Sequence, residues 1–183
     1  MIIIKQYFTK KQYEDIIQNN FIILVDTKEQ KNEHILSWFE ANGIKYKKKS
    51  LKTGDYSFMI TATPELGVMS DQYFTDELCI ERKNSVDEIA SNFASSNKDD
   101  DRIMRELNRM INIDRVYLLI EGDSLSDLVE GRYRSNINAI SLFRSILTWQ
   151  ARNGMKIYFV DKELMGRVIY ELCLCAFNSQ ILR

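Results

Sequence analysis

Leu78-Cys79-Ile80-Glu81-Arg82-Lys83-Asn84-Ser85-Val86-Asp87-Glu88 begins apolar, turns charged and then opens a helix. The apolar run with its charged end predicts a strand over Leu78–Arg82. Ser85 and Glu88 stand at the spacing of a capping box, and Val86, Ile89, Ala90 and Phe93 follow at helical spacing. Successive strand residues point to opposite faces. Glu81 and Lys83 therefore point together, and Ile80 and Arg82 point the other way.

The flanking sequence repeats this strand-then-helix pattern. Phe21–Val25 is a continuous apolar run that ends at Asp26, which predicts a buried strand. A helix is expected before it over 9–18, starting at Thr9, and another after it over 31–42, closed by Gly43. Residues 44–60 read as strand or hairpin around Gly54-Asp55, and Thr61–Asp76, which holds the only Pro, as a loop or long hairpin turn. Beyond the polar stretch Ser95–Asp101, a helix is expected over Ile103–Ile111 and an apolar strand over Val116–Ile120. A helix over 136–152, a strand over Lys156–Val160 and a helix over Glu163–Phe177 complete the chain. Apolar strands alternating with helices predict an α/β fold with a central mixed β-sheet flanked by helices.

Composition narrows the function. The 183 residues are 45% hydrophobic and 28% charged, which suits one globular domain and excludes a disordered chain. No window approaches the roughly 20 apolar residues of a membrane span, and Met1-Ile2-Ile3-Ile4-Lys5 is too short for a secretory signal. The three cysteines, Cys79, Cys173 and Cys175, form no CxxC pair and no disulfide framework, so a cytoplasmic location is expected, nucleoid-associated in a bacterium. The one histidine, His34, falls in the helix over 31–42 as a polar-face or partly buried residue. A His-based zinc site and a Ser-His-Asp triad are excluded with it. No P-loop or GxGxxG is present, so ATP and NAD are not expected. Net charge is −1, but residues 61–101 carry ten acidic and three basic side chains while both flanks are basic.

The acidic residues suggest a chemistry. Asp55 precedes a strand expected to pair with Leu78–Arg82, so Asp55, Glu81 and Lys83 can converge. Two carboxylates and a lysine suit a hard divalent cation such as Mg2+, which takes oxygen ligands and keeps several waters.

Four clusters in order extend this reading. They are Val25-Asp26-Thr27-Lys28-Glu29, Gly54-Asp55-Tyr56, Glu81-Arg82-Lys83 with Asp87 downstream, and Asp101-Arg102 through Arg105-Glu106. With them, the chain from about Phe21 to about Phe177 resembles the nuclease domain of XPF-type structure-specific endonucleases. That group is a branch of the PD-(D/E)xK, restriction-endonuclease-like superfamily, and its motifs run V-D-x-R-E, G-D-Y/F and E-R-K. The resemblance implies a restriction-endonuclease-like fold over 21–183, with residues 1–20 as an N-terminal extension. It implies a DNA endonuclease dependent on Mg2+ or Mn2+ that cuts phosphodiester bonds in flap, fork or other branched DNA. In that reading Asp26, Asp55, Glu81 and the backbone carbonyl of Arg82 are metal ligands, Lys83 is the catalytic lysine and Glu29 is a supporting carboxylate. The Arg82 side chain is structural, Asp87 caps or orients, and Arg102 contacts DNA phosphate or holds the acidic cluster. Lys28 stands where the family usually has Arg, which replaces a planar fork by a single point charge.

DNA contact is expected to be electrostatic. Lys45, Lys47 and Lys49 share one face of a strand, and Lys48 and Lys52 lie beside them, suited to phosphates without reading sequence. Arg132 and Arg134 are further candidates in a Gly-containing loop. Many relatives carry a C-terminal pair of helix-hairpin-helix motifs. None is read here, so a stand-alone form is expected that grips DNA by this domain alone or with a partner. The resemblance also favours a homodimer or heterodimer through the C-terminal helices. Two alternatives stay open: a non-catalytic DNA-binding or partner-binding subunit, and a restriction-like or resolvase-like nuclease.

Overall fold

The computed structural model describes residues 8–95 and 109–181. Arg102, and the helix expected over 103–111 apart from its last residues, lie outside them. The elements are α1 (Lys10–Asn19), β1 (Phe21–Val25), α2 (Glu33–Ala41), β2 (Tyr46–Lys48), β3 (Tyr56–Ile60), β4 (Gln72–Tyr73), β5 (Leu78–Lys83) and α3 (Val86–Ser95). They continue with β6 (Arg115–Glu121), α4 (Leu125–Val129), α5 (Ala139–Asn153), β7 (Lys156–Val160) and α6 (Met165–Ile181). Among the described residues no helix is long and apolar enough to cross a membrane.

The strands form one mixed sheet in the order β2-β1-β3-β5-β6-β7, with β4 on β3. β5, β6 and β7 run parallel, while β3 runs antiparallel to both of its neighbours, β1 and β5. Residues 44–60 do not form a hairpin with themselves. β2 pairs parallel to β1, and β3 pairs with the other edge of β1. The reason is burial: β1 is a central strand whose Ile23, Leu24 and Val25 are fully enclosed, so both of its edges need a partner. Within Thr61–Asp76, residues 61–71 are the long hairpin turn that joins β3 to the short β4.

Side-chain alternation divides the core in two. On one face Phe21, Ile23, Val25, Tyr56, Phe58, Leu78, Ile80 and Leu119 pack beneath α1, α2 and α6. There α2 approaches α6 closely because Gly166 lies against Trp38, where a Cβ would sit 3.0 Å from the Trp38 Cβ. On the other face Cys79, Val116, Leu118 and Ile120 pack beneath α3 and α5. Phe93 and Trp149 stack between those helices at 4.5 Å. A small third cluster of Leu24, Leu51 and Met59 shares this second face. α4 has no counterpart in the sequence reading. Its five residues are too few to show a helical period, and it is held by Ser124 and Asp127 capping each other's backbone N–H.

Candidate active site

The two-residue period that builds the core also sorts the charged ends of the strands. On β5, Glu81 and Lys83 continue the Cys79 face, and Arg82 continues the Ile80 face. On β1, Asp26 follows Leu24 onto the second face. Asp26, Asp55, Glu81 and Lys83 thus line one cleft of about 340 Å3, with Lys28, Lys52 and Arg109 at its wall.

Backbone contacts fix the carboxylates. The Asp55 N–H donates to the Ile80 carbonyl at 2.8 Å. Its carboxylate accepts the Arg82 N–H at 2.8 Å, so it sits against the peptide that joins Glu81 to Arg82. Gly54 makes this approach possible. Its φ is +76°, and a Cβ there would stand 2.4 Å from the Cys79 Sγ. The Asp26 N–H donates to the Asp55 carbonyl at 2.7 Å, and its carboxylate accepts the Leu51 N–H at 2.9 Å. Asp26 therefore lines the cleft with one oxygen already engaged. Lys83 Nζ lies 2.7 Å from Glu81 Oε1 and 3.9 Å from Glu88 Oε1, an ammonium shared between two carboxylates.

A second charged cluster gathers around the Arg82 side chain, on the Ile80 face of β5, and its Glu29, Arg82 and Asn84 also border the cleft. The Arg82 guanidinium, 1% exposed, donates to Glu29 at 2.6 Å and to Glu121 at 2.8 Å. It also donates to Asn84 Oδ1 and to the Lys31 carbonyl. Tyr56 donates to Glu29 at 3.2 Å, Asn32 donates to the Tyr56 hydroxyl, and His34 Nε2 lies 3.0 Å from Glu121. Burial raises the Glu29 carboxyl above its ordinary value against the opposing pull of Arg82, and burial likewise raises the Tyr56 hydroxyl. Of this cluster the sequence reading held Arg82 as structural and Glu29 as supporting. Tyr56 stood only as part of the Gly54-Asp55-Tyr56 cluster, and Glu121 and Asn32 had no assigned role, because only the tertiary fold brings them to Arg82.

The donors are of one chemical kind. Among the described residues no group of three His, Cys, Asp or Glu side chains forms a ready metal cage. Asp55 and Glu81 flank the Arg82 peptide and offer hard oxygens. That set fits Mg2+, which binds through one or two carboxylates and keeps its waters, better than a cation demanding a full protein cage.

The lysines divide. Lys52 is at the cleft wall, as are Lys28 and Arg109, which were not among the expected DNA contacts. Lys45, Lys47 and Lys49 are exposed, Lys45 just before the edge strand β2, Lys47 within it and Lys49 just after it. Lys45 donates to the Asn19 carbonyl, and Lys49 lies over the Tyr73 ring at 4.9 Å. Arg132 is held by Asp127 and Glu130, and Arg134 pairs with Asp87.

No match is found among curated protein sequences. XPF from Aeropyrum pernix has a similar structure, with 23% identity and a TM-score of 0.58 over 85% of this chain and 65% of that one. The same protein in complex with DNA is similar with 22% identity and a TM-score of 0.57 over 86% of this chain. The chain thus spans just under two thirds of the length of these structures. At that identity the likeness shows a shared fold, a mixed sheet flanked by helices. Residues 25–172 match the ERCC4 domain, and the chain belongs to that family, the XPF-type nuclease domains that its motifs resemble.

Proposed function

We propose that this chain is a metal-dependent DNA endonuclease acting on flap, fork or other branched DNA. One observation carries the reading. Asp55 is locked against the Glu81–Arg82 peptide, with Glu81 and Lys83 beside it in an open cleft walled by Lys28, Lys52 and Arg109. The structure of Aeropyrum pernix XPF in complex with DNA is consistent with a DNA substrate.

Asp55, Glu81 and the Arg82 carbonyl would hold Mg2+ or Mn2+, with Asp26 at the edge of the site. When bound, the ion polarises a phosphate oxygen and acidifies a water. Lys83 orients that water or steadies the charge that develops on the phosphate. Lys28, Lys52 and Arg109 neutralise the phosphates on either side, a contact that weakens with salt and reads no sequence. Cleavage of labelled flap, fork and linear DNA with Mg2+, Mn2+ or EDTA tests the proposal. The expected result is cutting at a branch, abolished by EDTA. A folded protein that binds these DNAs and cuts none of them would be a non-catalytic subunit instead.

Dimerisation belongs to the same proposal. Ile140 and Leu147, 56% and 45% exposed, lie seven residues apart on one face of α5, opposite Leu142 and Ile146, which enter the core. This surface fits a second nuclease-like chain, most simply another copy. Sedimentation should show a dimer that Leu147→Glu converts to monomer, and a wild-type monomer at high micromolar concentration would refute it.

A further inference from the structure

A second cavity, of about 660 Å3, opens beside the catalytic cleft. The two share a wall: Lys52, Thr53 and Arg109 line both. Beyond that wall the second cavity is closed by Thr75, Asp76, Asn112 and Ile113. Nothing in the proposed cleavage step uses it.

Its chemistry changes from one end to the other. At the shared wall stand two cationic side chains, Lys52 and Arg109. At the far end stand an apolar side chain, a carboxylate, an amide and a hydroxyl. Ile113 belongs to the apolar cluster beneath α3 and α5, while Asn112 and Asp76 are exposed. A phosphate fits only the first end, because Asp76 would repel it at the other. The far end instead suits a nucleobase. Ile113 offers an apolar surface for the ring, Asp76 can accept from an exocyclic amino group, and Asn112 and Thr75 can bond to the ring edge. The volume lies in the range of small-molecule sites, roughly 300–1,000 Å3.

We infer that this cavity holds an unpaired nucleotide of the substrate strand, adjoining the phosphate in the catalytic cleft. Lys52 and Arg109 span the two sites and hold the backbone between them. A base stacked in a duplex cannot present its ring face and pairing edge to such a pocket, whereas a base in a single-stranded arm can. The cavity therefore selects DNA in which pairing stops next to the cleavage point. This rests on the proposed DNA substrate and names the feature of that DNA which is recognised.

Binding measured in EDTA separates this inference from the catalytic one. The probes are a fluorescent fork with unpaired nucleotides at the branch and a fully paired duplex of the same length. The wild type is expected to bind the fork at least five-fold more tightly, the lower end of what base stacking on a protein surface contributes, about 1–3 kcal/mol. Ile113→Asp should bring that ratio close to one while duplex binding is unchanged. Because Ile113 also packs against the core, Asn112→Ala, at an exposed position, is the second variant and should lower the ratio without changing the Tm. A ratio near one in the wild type, or a ratio unchanged in both variants, overturns the inference. A protein that shows the ratio and its loss but never cuts DNA would refute the nuclease and leave the pocket standing.

Discussion

Asp55→Asn and Lys83→Ala are each expected to slow metal-dependent cleavage by roughly a hundred- to a thousand-fold, the cost of removing one preorganised charge from a reacting site. The two variants probe different things. Asn keeps an oxygen that can accept the Arg82 N–H, now made at 2.8 Å by the Asp55 carboxylate. What it loses is the negative charge on which a hard cation depends. Exchanging a charged for a neutral acceptor costs about 1 kcal/mol of stability, or about 2–4 °C in Tm for a chain of this size. Lys83→Ala leaves both carboxylates and removes the ammonium that lies 2.7 Å from Glu81. Metal titration followed by calorimetry should separate them: weakened Mg2+ binding for Asp55→Asn, binding retained for Lys83→Ala. Wild-type cleavage rates in both variants would remove these residues from the mechanism.

Arg82→Met should produce the largest loss of stability, about 3–5 kcal/mol, because breaking a buried ion pair strands its partners. Glu29 and Glu121 are 11% and 7% exposed, and the Arg82 guanidinium bridges them. Met fills a comparable volume, so the loss is electrostatic rather than a cavity. The triple change Arg82→Met, Glu29→Gln and Glu121→Gln should recover much of the stability, since no buried charge is then left unpaired. Urea denaturation reads both. An Arg82→Met protein within 1 kcal/mol of wild type would mean that water reaches and solvates the two carboxylates.

Much of this was legible in the sequence. β1 and β7 occupy the residues expected of them, since the apolar runs Phe21–Val25 and Ile157–Val160 have sharp polar ends. The placing of Glu81 and Lys83 on one face, with Arg82 on the other, followed from strand alternation alone. The errors are non-local. Residues 44–60 looked like a hairpin because hairpins join neighbours in sequence, yet β1 lies between β2 and β3. The partners of Arg82 were invisible for the same reason, and Lys28 and Arg109 reach the cleft wall only through the folded chain.

The cluster around Arg82 also bears on the order in which the molecule assembles. Arg82 reaches back 53 residues to Glu29 and forward 39 residues to Glu121. Contacts of such separation close late, because the chain entropy of long loops opposes them until the surrounding sheet has formed. The strand that carries Glu81 and Lys83 thus gains its electrostatic support only when β1, β5 and β6 have all docked. A nascent chain that has emerged only as far as β5 holds Asp26, Asp55 and Glu81 but not Glu121. On the proposed function, competence to cut would then arrive only with completion of the sheet.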